Sequence, residues 1–141
     1  MIKNERQYRI TRSQAQKFQR AIHELEKSVP ADKVHPVLHA AQINALRSQF
    51  KDLQDELSEY EKLRGGKQTI AELESFEQLP SALIQARIAA GLSQEQLADR
   101  LGLKAQQIQR YEATEYRSAS LARVAEVVRV LKAINLSRQT H

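Results

Sequence analysis

The polar side chains at residues 104–110 carry the clearest chemistry in this sequence. On a helix they share an outward face, made of Lys104, Ala105, Gln106, Gln107, Gln109 and Arg110. Such a face needs no cluster of glutamines for its stability. Gln and Arg side chains are, however, those that form two hydrogen bonds with the edge of adenine or guanine in the major groove of DNA. The residue types therefore indicate that this face reads base pairs.

Two short helices joined by a tight turn must hold this face towards solvent. Ser93 is suited to cap the first helix, which is predicted to run through Arg100. Gly102 suits the turn because glycine tolerates positive φ. The second helix is predicted over residues 104–113. The residues expected to point inward are Leu97, Ala98, Leu101, Leu103, Ile108 and Tyr111.

Two further helices are expected to pack on this pair. One begins near Pro80, a residue that fits the first turn of a helix, and ends at Gly91. The other begins at Ser120 and is expected to be short, followed by a turn around Ile134 and Leu136 that closes the core. The inner face of the first helix is Leu83, Ile84, Arg87 and Ile88. The apolar residues of the second helix are Leu121, Val124, Val127, Val128 and Leu131.

This arrangement resembles the Cro/CI-type (XRE) family of helix-turn-helix regulators. The resemblance rests on Arg87–Ala98, Leu101–Leu103 and Ile108–Glu112, and it covers about residues 83–131. It implies a fold similar to the DNA-binding domain of lambda repressor. It also implies a protein that binds double-stranded DNA and regulates transcription. Because one such domain makes few contacts, we expect a homodimer.

The resemblance further implies roles for particular positions. Those that fall where family members read bases are Ala105, Gln106, Gln109 and Arg110. Those expected to contact the DNA backbone are Gln94, Lys104 and Gln107, and Gln94 is also expected to brace the reading helix. Arg87 and Glu112 match the family's buried ion pair, a structural feature that links its first and third helices.

The loop after Glu112 departs from the family pattern. Family members often have a basic loop that contains Gly and ends in Pro-Ser, whereas residues 113–120 contain neither Gly nor Pro. Glu115 would repel a phosphate, although Arg117 and nearby hydroxyls are expected to contact the DNA backbone. The loop contacts and the dimer surface are therefore left open by the resemblance.

The first half of the chain predicts a long helical hairpin over residues 1–66. A capping-box spacing at Thr11–Gln14 predicts the start of the first helix, and Pro30 should end it. The second helix is predicted over Pro36–Arg64, where apolar residues recur in a heptad pattern, and Gly65-Gly66 should stop it. The apolar stripes are Ala15, Phe18, Ile22, Leu25 and Val29, then Ile43, Leu46, Phe50, Leu53, Leu57 and Tyr60.

These two stripes either pack only on each other or also pair the long helix with another chain. A connector helix is predicted over residues 67–79, with Ile70, Leu73 and Phe76 on its apolar side. The helix-turn-helix domain should then span residues 80–136, with 137–141 as a tail. The predicted fold class is all-α: an N-terminal long helical hairpin followed by a Cro/CI-like (lambda repressor-like) helix-turn-helix domain.

Composition narrows the remaining function classes. The net charge is +5, and residues 80–141 carry 9 basic and 5 acidic side chains, which fits a nucleic-acid module. The chain has no Cys, which excludes thiolate metal sites and suits the cytoplasm. No apolar stretch reaches the length of about 18 residues that a membrane span needs. A metal site at His35 and His39 is less favoured than a solvated helix start, so we expect neither a metal nor another cofactor.

No pairing of a nucleophile with a base is visible, so we expect no enzyme. The interpretation is a sequence-specific DNA-binding repressor. A narrower form is an antitoxin similar to the HigA-like family, which binds a small toxin and represses its own operon. The alternative is a helical interaction protein whose helix-turn-helix no longer binds DNA. Lys3, Arg6, Arg9 and Arg12 form a basic run that either touches phosphates or a partner, or is solvated.

Overall fold

A computed structural model describes residues 1–28, 35–65 and 75–139 of the chain. All regular structure in these residues is helical, which confirms the all-α prediction. The elements are α1 (Glu5–Lys27), α2 (Pro36–Arg64), a 3-10 turn (Phe76–Gln78), α3 (Leu79–Ala89), α4 (Gln94–Leu101), α5 (Ala105–Ala113) and α6 (Leu121–Gln139). The chain divides into two compact units, Met1–Tyr60 and Glu61–His141.

The first helix begins seven residues earlier than its sequence pattern predicts, so the predicted cap at Thr11 is wrong. Asn4 caps α1, because its side-chain oxygen accepts a hydrogen bond of 2.8 Å from the backbone N–H of Gln7. Thr11 lies within the helix. Residues 29–34, which include the predicted stop at Pro30, lie outside the described residues.

Helices α1 and α2 form the predicted hairpin through contacts at both ends. Near the start of α1, Tyr8 stacks on Tyr60 with ring centroids 5.3 Å apart, and the Tyr60 hydroxyl donates to Glu5 Oε1 over 3.1 Å. Near its end, Glu26 forms an ion pair with Arg47. The start of one helix thus lies beside the end of the other, and the two run antiparallel.

The apolar face of α2 follows the predicted heptad pattern. The five residues Ile43, Leu46, Phe50, Leu53 and Leu57 are half-buried, and Tyr60 is buried. The bounds of α2 are those predicted, and the Gly65 N–H donates to the Glu61 carbonyl over 2.9 Å at its end. The predicted domain boundary at residue 66 and the connector at 67–79 stay predictions, because residues 66–74 lie outside the described residues.

In the second unit, α3, α4, α5 and α6 enclose a small apolar core. Its most deeply buried side chains are Ile84, Leu97, Ala98, Ile108, Val127 and Leu131. Ser93 caps α4 in a complete capping box, and Gly91 follows α3 at φ +74°. The prediction of these helices and of their inward residues is confirmed at these positions.

One expectation in this unit is wrong, and three apolar side chains lie exposed. Phe76, placed on the apolar side of the predicted connector, has 81% of its surface exposed. The last helix does not stop before Ile134, because α6 continues to Gln139 and no Gly or Pro interrupts it. Leu121 and Val128, two of the apolar residues predicted for this helix, are 80% and 37% exposed. They lie beside the buried row of Val127 and Leu131 and are not part of it.

Candidate nucleic-acid interface

Helix α5 presents a polar face to solvent and an apolar face to the core. Ile108 is fully buried, and Ala105, at the edge of the polar face, is half-buried. The exposed side chains are Lys104, Gln106, Gln107, Gln109 and Arg110. This division follows from the 3.6-residue period, which places residue 108 opposite residues 106 and 110.

The first turn of α5 is fixed by one of its own glutamines. The backbone N–H of Lys104 donates to Gln107 Oε1 over 3.1 Å, and the backbone N–H of Gln107 donates to the Lys104 carbonyl over 3.0 Å. Gln107 therefore stabilises the N-terminus of the helix. Its predicted contact with the DNA backbone stays a prediction, in which its amide N–H group would be the donor.

The turn between α4 and α5 is tight and is held by backbone hydrogen bonds. Gly102 adopts φ +68°, and the Leu103 N–H reaches back to the Ala98 carbonyl over 2.9 Å. Ala98 is fully buried at this point. A larger side chain there would force the two helices apart, so the turn fixes the angle at which α5 leaves the domain.

A buried charged network anchors the other end of α5. Glu112 is 1% exposed and Arg87 is 3% exposed, and Arg87 Nε donates to Glu112 Oε1 over 2.7 Å. Gln94 Nε2 donates to Glu112 Oε2 over 2.9 Å. Arg87 Nη1 also donates to the Leu92 carbonyl over 2.8 Å. The network ties α3, the α3–α4 turn, α4 and α5 together.

The network offsets the cost of placing two charges inside the domain. A buried charge is tolerated only when its hydrogen-bonding groups find partners. In the described part of the chain, no fully buried side-chain nitrogen or oxygen lacks a hydrogen bond. Because each hydrogen bond of the network has a defined geometry, the network fixes the orientation of α5 as well as its position.

Gln94 is placed where it reaches this network. Its side chain is 9% exposed, and the bond to Glu112 links the start of α4 to the end of α5. The expected contact of Gln94 with the DNA backbone stays a prediction. Its remaining exposed surface lies at the N-terminus of α4, where backbone N–H groups and the helix dipole favour an anion.

The loop after α5 stores backbone strain. Glu115 and Tyr116 have φ of 53° and 60°, in the left-handed region that side chains other than glycine rarely adopt. Tyr116 is 6% exposed and stacks on Tyr111, with ring centroids 5.9 Å apart. Burial, and then the nearby Glu112 carboxylate, raise the pKa of Tyr116 well above its ordinary value. The buried ring is what holds the loop in this conformation.

Arg117 extends from the same loop into solvent. Its Nη2 lies 3.6 Å from Glu115 Oε2, and both side chains are largely exposed. An exposed pair of this kind contributes little to stability. The Glu115 carboxylate partly neutralises Arg117, so the predicted contact between Arg117 and a phosphate is weaker than that of a lone arginine.

Sequence reasoning missed two parts of this arrangement. The Leu92 carbonyl is an acceptor for Arg87, but backbone groups leave no trace in the residue types. Tyr116 was not assigned a role, although an aromatic residue in an otherwise polar loop was an available signal.

The described residues hold no group of three His, Asp or Glu side chains placed to bind a metal ion. Over residues 1–28, 35–65 and 75–139, no helix combines the length and the apolar character of a membrane span.

Comparison with known proteins agrees with this geometry. A helix-turn-helix family model matches residues 83–139, which include α4, α5 and most of α3. Neither the curated proteins nor the solved structures contain a significant match to the chain. The segment matched by the family model is the one that holds the buried network and the polar face of α5. The C-terminal part of this chain is thus a helix-turn-helix domain, and this supports a DNA-binding transcription regulator of the XRE type.

Proposed function

We propose that this protein is a sequence-specific repressor that places α5 in the major groove of DNA. Gln106, Gln109 and Arg110 read base edges, and Ala105 packs against a thymine methyl group. The observation that carries the proposal is the exposed polar face of α5. In the described part of the chain, the side chains of Gln106, Gln109 and Arg110 make no hydrogen bond or ion pair within the protein.

The buried network supports this proposal because base reading requires a rigid helix. Arg and Gln side chains discriminate bases only when their own helix is held in a fixed orientation. The network of Arg87, Gln94 and Glu112 fixes the C-terminal end of α5, and the Gln107 cap fixes its start. A helix that only covered a core would need neither an unpartnered amide face nor such support.

Contacts with phosphates complete the proposed interface. Lys104 and Gln107 lie at the first turn of α5, Gln94 begins α4, and Arg117 follows α5. Each cation that neutralises a phosphate releases bound counterions, so the affinity for DNA should fall steeply as salt rises. We place the protein in the cytoplasm, where its proposed ligand is found in bacteria.

The experiment that tests the proposal is a DNA-binding titration over a range of salt concentrations. Full-length protein is titrated against a duplex that carries the DNA upstream of its own gene and against a shuffled duplex of the same length. We expect tighter binding to the upstream duplex and a linear fall of log affinity with log salt. No binding to either duplex at low salt would contradict the proposal and favour the helical interaction protein.

The proposal includes a homodimer, because a single domain of this size makes too few contacts for specific binding at cellular salt. An apolar row on α6 supports it. Leu121, Ala125 and Val128 share one face of the helix, and all three are exposed. Two copies related by a two-fold axis would bury this row against itself.

A narrower form of the proposal is an antitoxin that represses its own operon. What supports it is the layout alone: an N-terminal helical hairpin precedes a C-terminal helix-turn-helix domain. A neighbouring reading frame for a small basic protein, and co-purification of its product with this chain, would support the antitoxin role. Purification of the chain alone from cells that express both reading frames would contradict it.

A further inference from the structure

We propose that the outer face of α1 is a second contact surface for the DNA backbone and that it binds without regard to sequence. This inference deepens the proposed function and rests on it, because DNA is the polyanion that the protein is proposed to bind. The surface is a single row along the helix, which we call the basic stripe. Its members are Arg6, Arg9, Ser13, Gln16, Arg20, His23 and Lys27.

The stripe is one continuous face because its members alternate in steps of three and four residues. All seven side chains are exposed. The residues that α1 buries, Tyr8, Ala15 and Ile22, lie on the opposite side of the helix. The apolar face of α1 is thus used inside the hairpin, which leaves no apolar face for insertion into a lipid surface.

The seven members of the stripe include no carboxylate, but the exposed Glu24 lies beside them, four residues after Arg20 and three before Lys27. The other two acidic residues of α1 contact α2. Glu5 accepts a hydrogen bond from Tyr60, and Glu26 pairs with Arg47. In the part of the chain that the structure describes, the four stripe cations form no ion pair. Arg20 uses only its Nε, in a long hydrogen bond of 3.4 Å to the Gln16 carbonyl. Four cations therefore lie in a row in which Glu24, near Arg20 and Lys27, is a neighbouring carboxylate, and the row stays net positive.

The dimensions of the stripe fit a DNA duplex. Residues 9 and 20 are separated by about 16 Å along the helix axis, which exceeds the width of the major groove of about 12 Å. Arg9 and Arg20 can therefore reach phosphates on opposite sides of the groove. From Arg6 to Lys27 the stripe extends about 32 Å, close to one turn of the duplex at about 34 Å.

The acidic half of α2 in a second copy is the competing occupant. Its carboxylates are Asp52, Asp55, Glu56, Glu59 and Glu61. They extend over only about 14 Å of helix, so they would cover less than half of the stripe. A duplex offers phosphates along the whole length of the stripe, and this favours DNA.

The test compares two double variants of the full-length protein. Arg9→Gln/Arg20→Gln removes two cations of the stripe, and Lys51→Gln/Lys62→Gln removes two exposed cations of α2 as the matched control. Binding is measured by fluorescence anisotropy at several salt concentrations. The probe is a duplex of random sequence with about 30 base pairs, roughly three helical turns. Circular dichroism verifies that both variants keep the helical content of the wild type.

The stripe variant should lower the slope of log affinity against log salt by about 1.8, which is about 0.9 for each lost phosphate contact. The control variant should keep the slope of the wild type. Equal slopes for both variants would overturn the proposal. A change in self-association of the stripe variant with an unchanged slope would also overturn it, because it would identify a second copy as the occupant.

The failure of this inference can be told apart from failure of the proposed function. Base reading by α5 is measured as the ratio of affinities for the upstream duplex and a shuffled duplex. The stripe variant should keep this ratio while its slope falls. If the wild type shows no preference but the stripe variant still lowers the slope, the base-reading proposal fails and the basic stripe stands.

Discussion

At the residue scale, Glu112 is the point where three segments of the helix-turn-helix domain converge. Its two carboxylate oxygens accept hydrogen bonds from Arg87 on α3 and Gln94 on α4. The sequence resemblance implied the pair with Arg87, because both positions match the family pattern. It did not give the Leu92 carbonyl, since a backbone acceptor depends on the course of the chain and not on residue type.

We predict that Glu112→Gln destabilises the protein by about 3–5 kcal/mol, because it leaves the buried Arg87 guanidinium without a countercharge. Urea denaturation followed by circular dichroism measures the effect. The matched control is Glu126→Gln, which breaks the more exposed pair with Arg123 and should cost at most about 1 kcal/mol. Equal costs for the two substitutions would show that the buried network contributes nothing special to stability.

Two residues with similar backbone conformation give a second prediction. Gly102 and Glu115 both have positive φ, 68° and 53°. A Cβ at Gly102 would meet no atom within 4 Å, so Gly102→Ala tests backbone strain alone. We expect it to destabilise the protein by about 1–2 kcal/mol.

The reverse substitution, Glu115→Gly, should stabilise the protein by about 0.5–1 kcal/mol, because relief of strain outweighs the extra entropy of glycine in the unfolded chain. Changes in the urea midpoint measure both effects. Loss of stability in Glu115→Gly would mean that the exposed ion pair with Arg117 outweighs the strain. The family resemblance places a glycine-containing loop here, so this variant also tests that departure.

At the element scale, a helix could be predicted from the sequence where its apolar periodicity and its capping residues agreed. The end of a helix could not be predicted where two capping signals competed. The start of α1 was misplaced because Asn4–Gln7 and Thr11–Gln14 have the same capping spacing. The stack of Tyr8 on Tyr60 favours the earlier start, and this contact joins residues far apart in the sequence. Local patterns cannot weigh such a contact.

The last helix, α6, also shows that local sequence patterns cannot predict contacts made in the folded chain. Val127 and Leu131 are buried as expected, but Leu121 and Val128 of the same helix are exposed. Apolar character alone could not separate the two rows, because both follow helical spacing. An apolar row that finds no cover within its own domain is typical of an interface.

We predict that Leu121→Gln/Val128→Gln weakens self-association, since it replaces apolar surface that two copies would bury against each other. Analytical ultracentrifugation at several protein concentrations measures the dimer dissociation constant. The matched control is Ala122→Gln/Arg129→Gln, which alters exposed positions of α6 outside the row. If both variants keep the dissociation constant of the wild type, α6 is not the dimer interface.

At the scale of the whole molecule, the chain combines a basic hairpin helix with a helix-turn-helix domain. Residues 1–64 carry 12 basic and 9 acidic side chains, yet the outer row of α1 holds four cations, with Glu24 beside them. Net charge in the sequence could not reveal this segregation, which appears only when each side chain is assigned to a face. The two surfaces have different proposed roles. Helix α5 provides the preference for a DNA sequence, and the basic stripe adds affinity for DNA of any sequence.

The most direct test of the central claim is selection of binding sites from a pool of random duplexes by the wild type and by Arg110→Ala. The wild type should enrich a two-fold symmetric site. Arg110→Ala should lose the preference at one base pair of each half-site, at a cost of about 1–3 kcal/mol. Arg129→Ala, an exposed arginine on α6, should keep the wild-type site. Equal weakening of Arg110→Ala on every sequence would contradict base reading by α5.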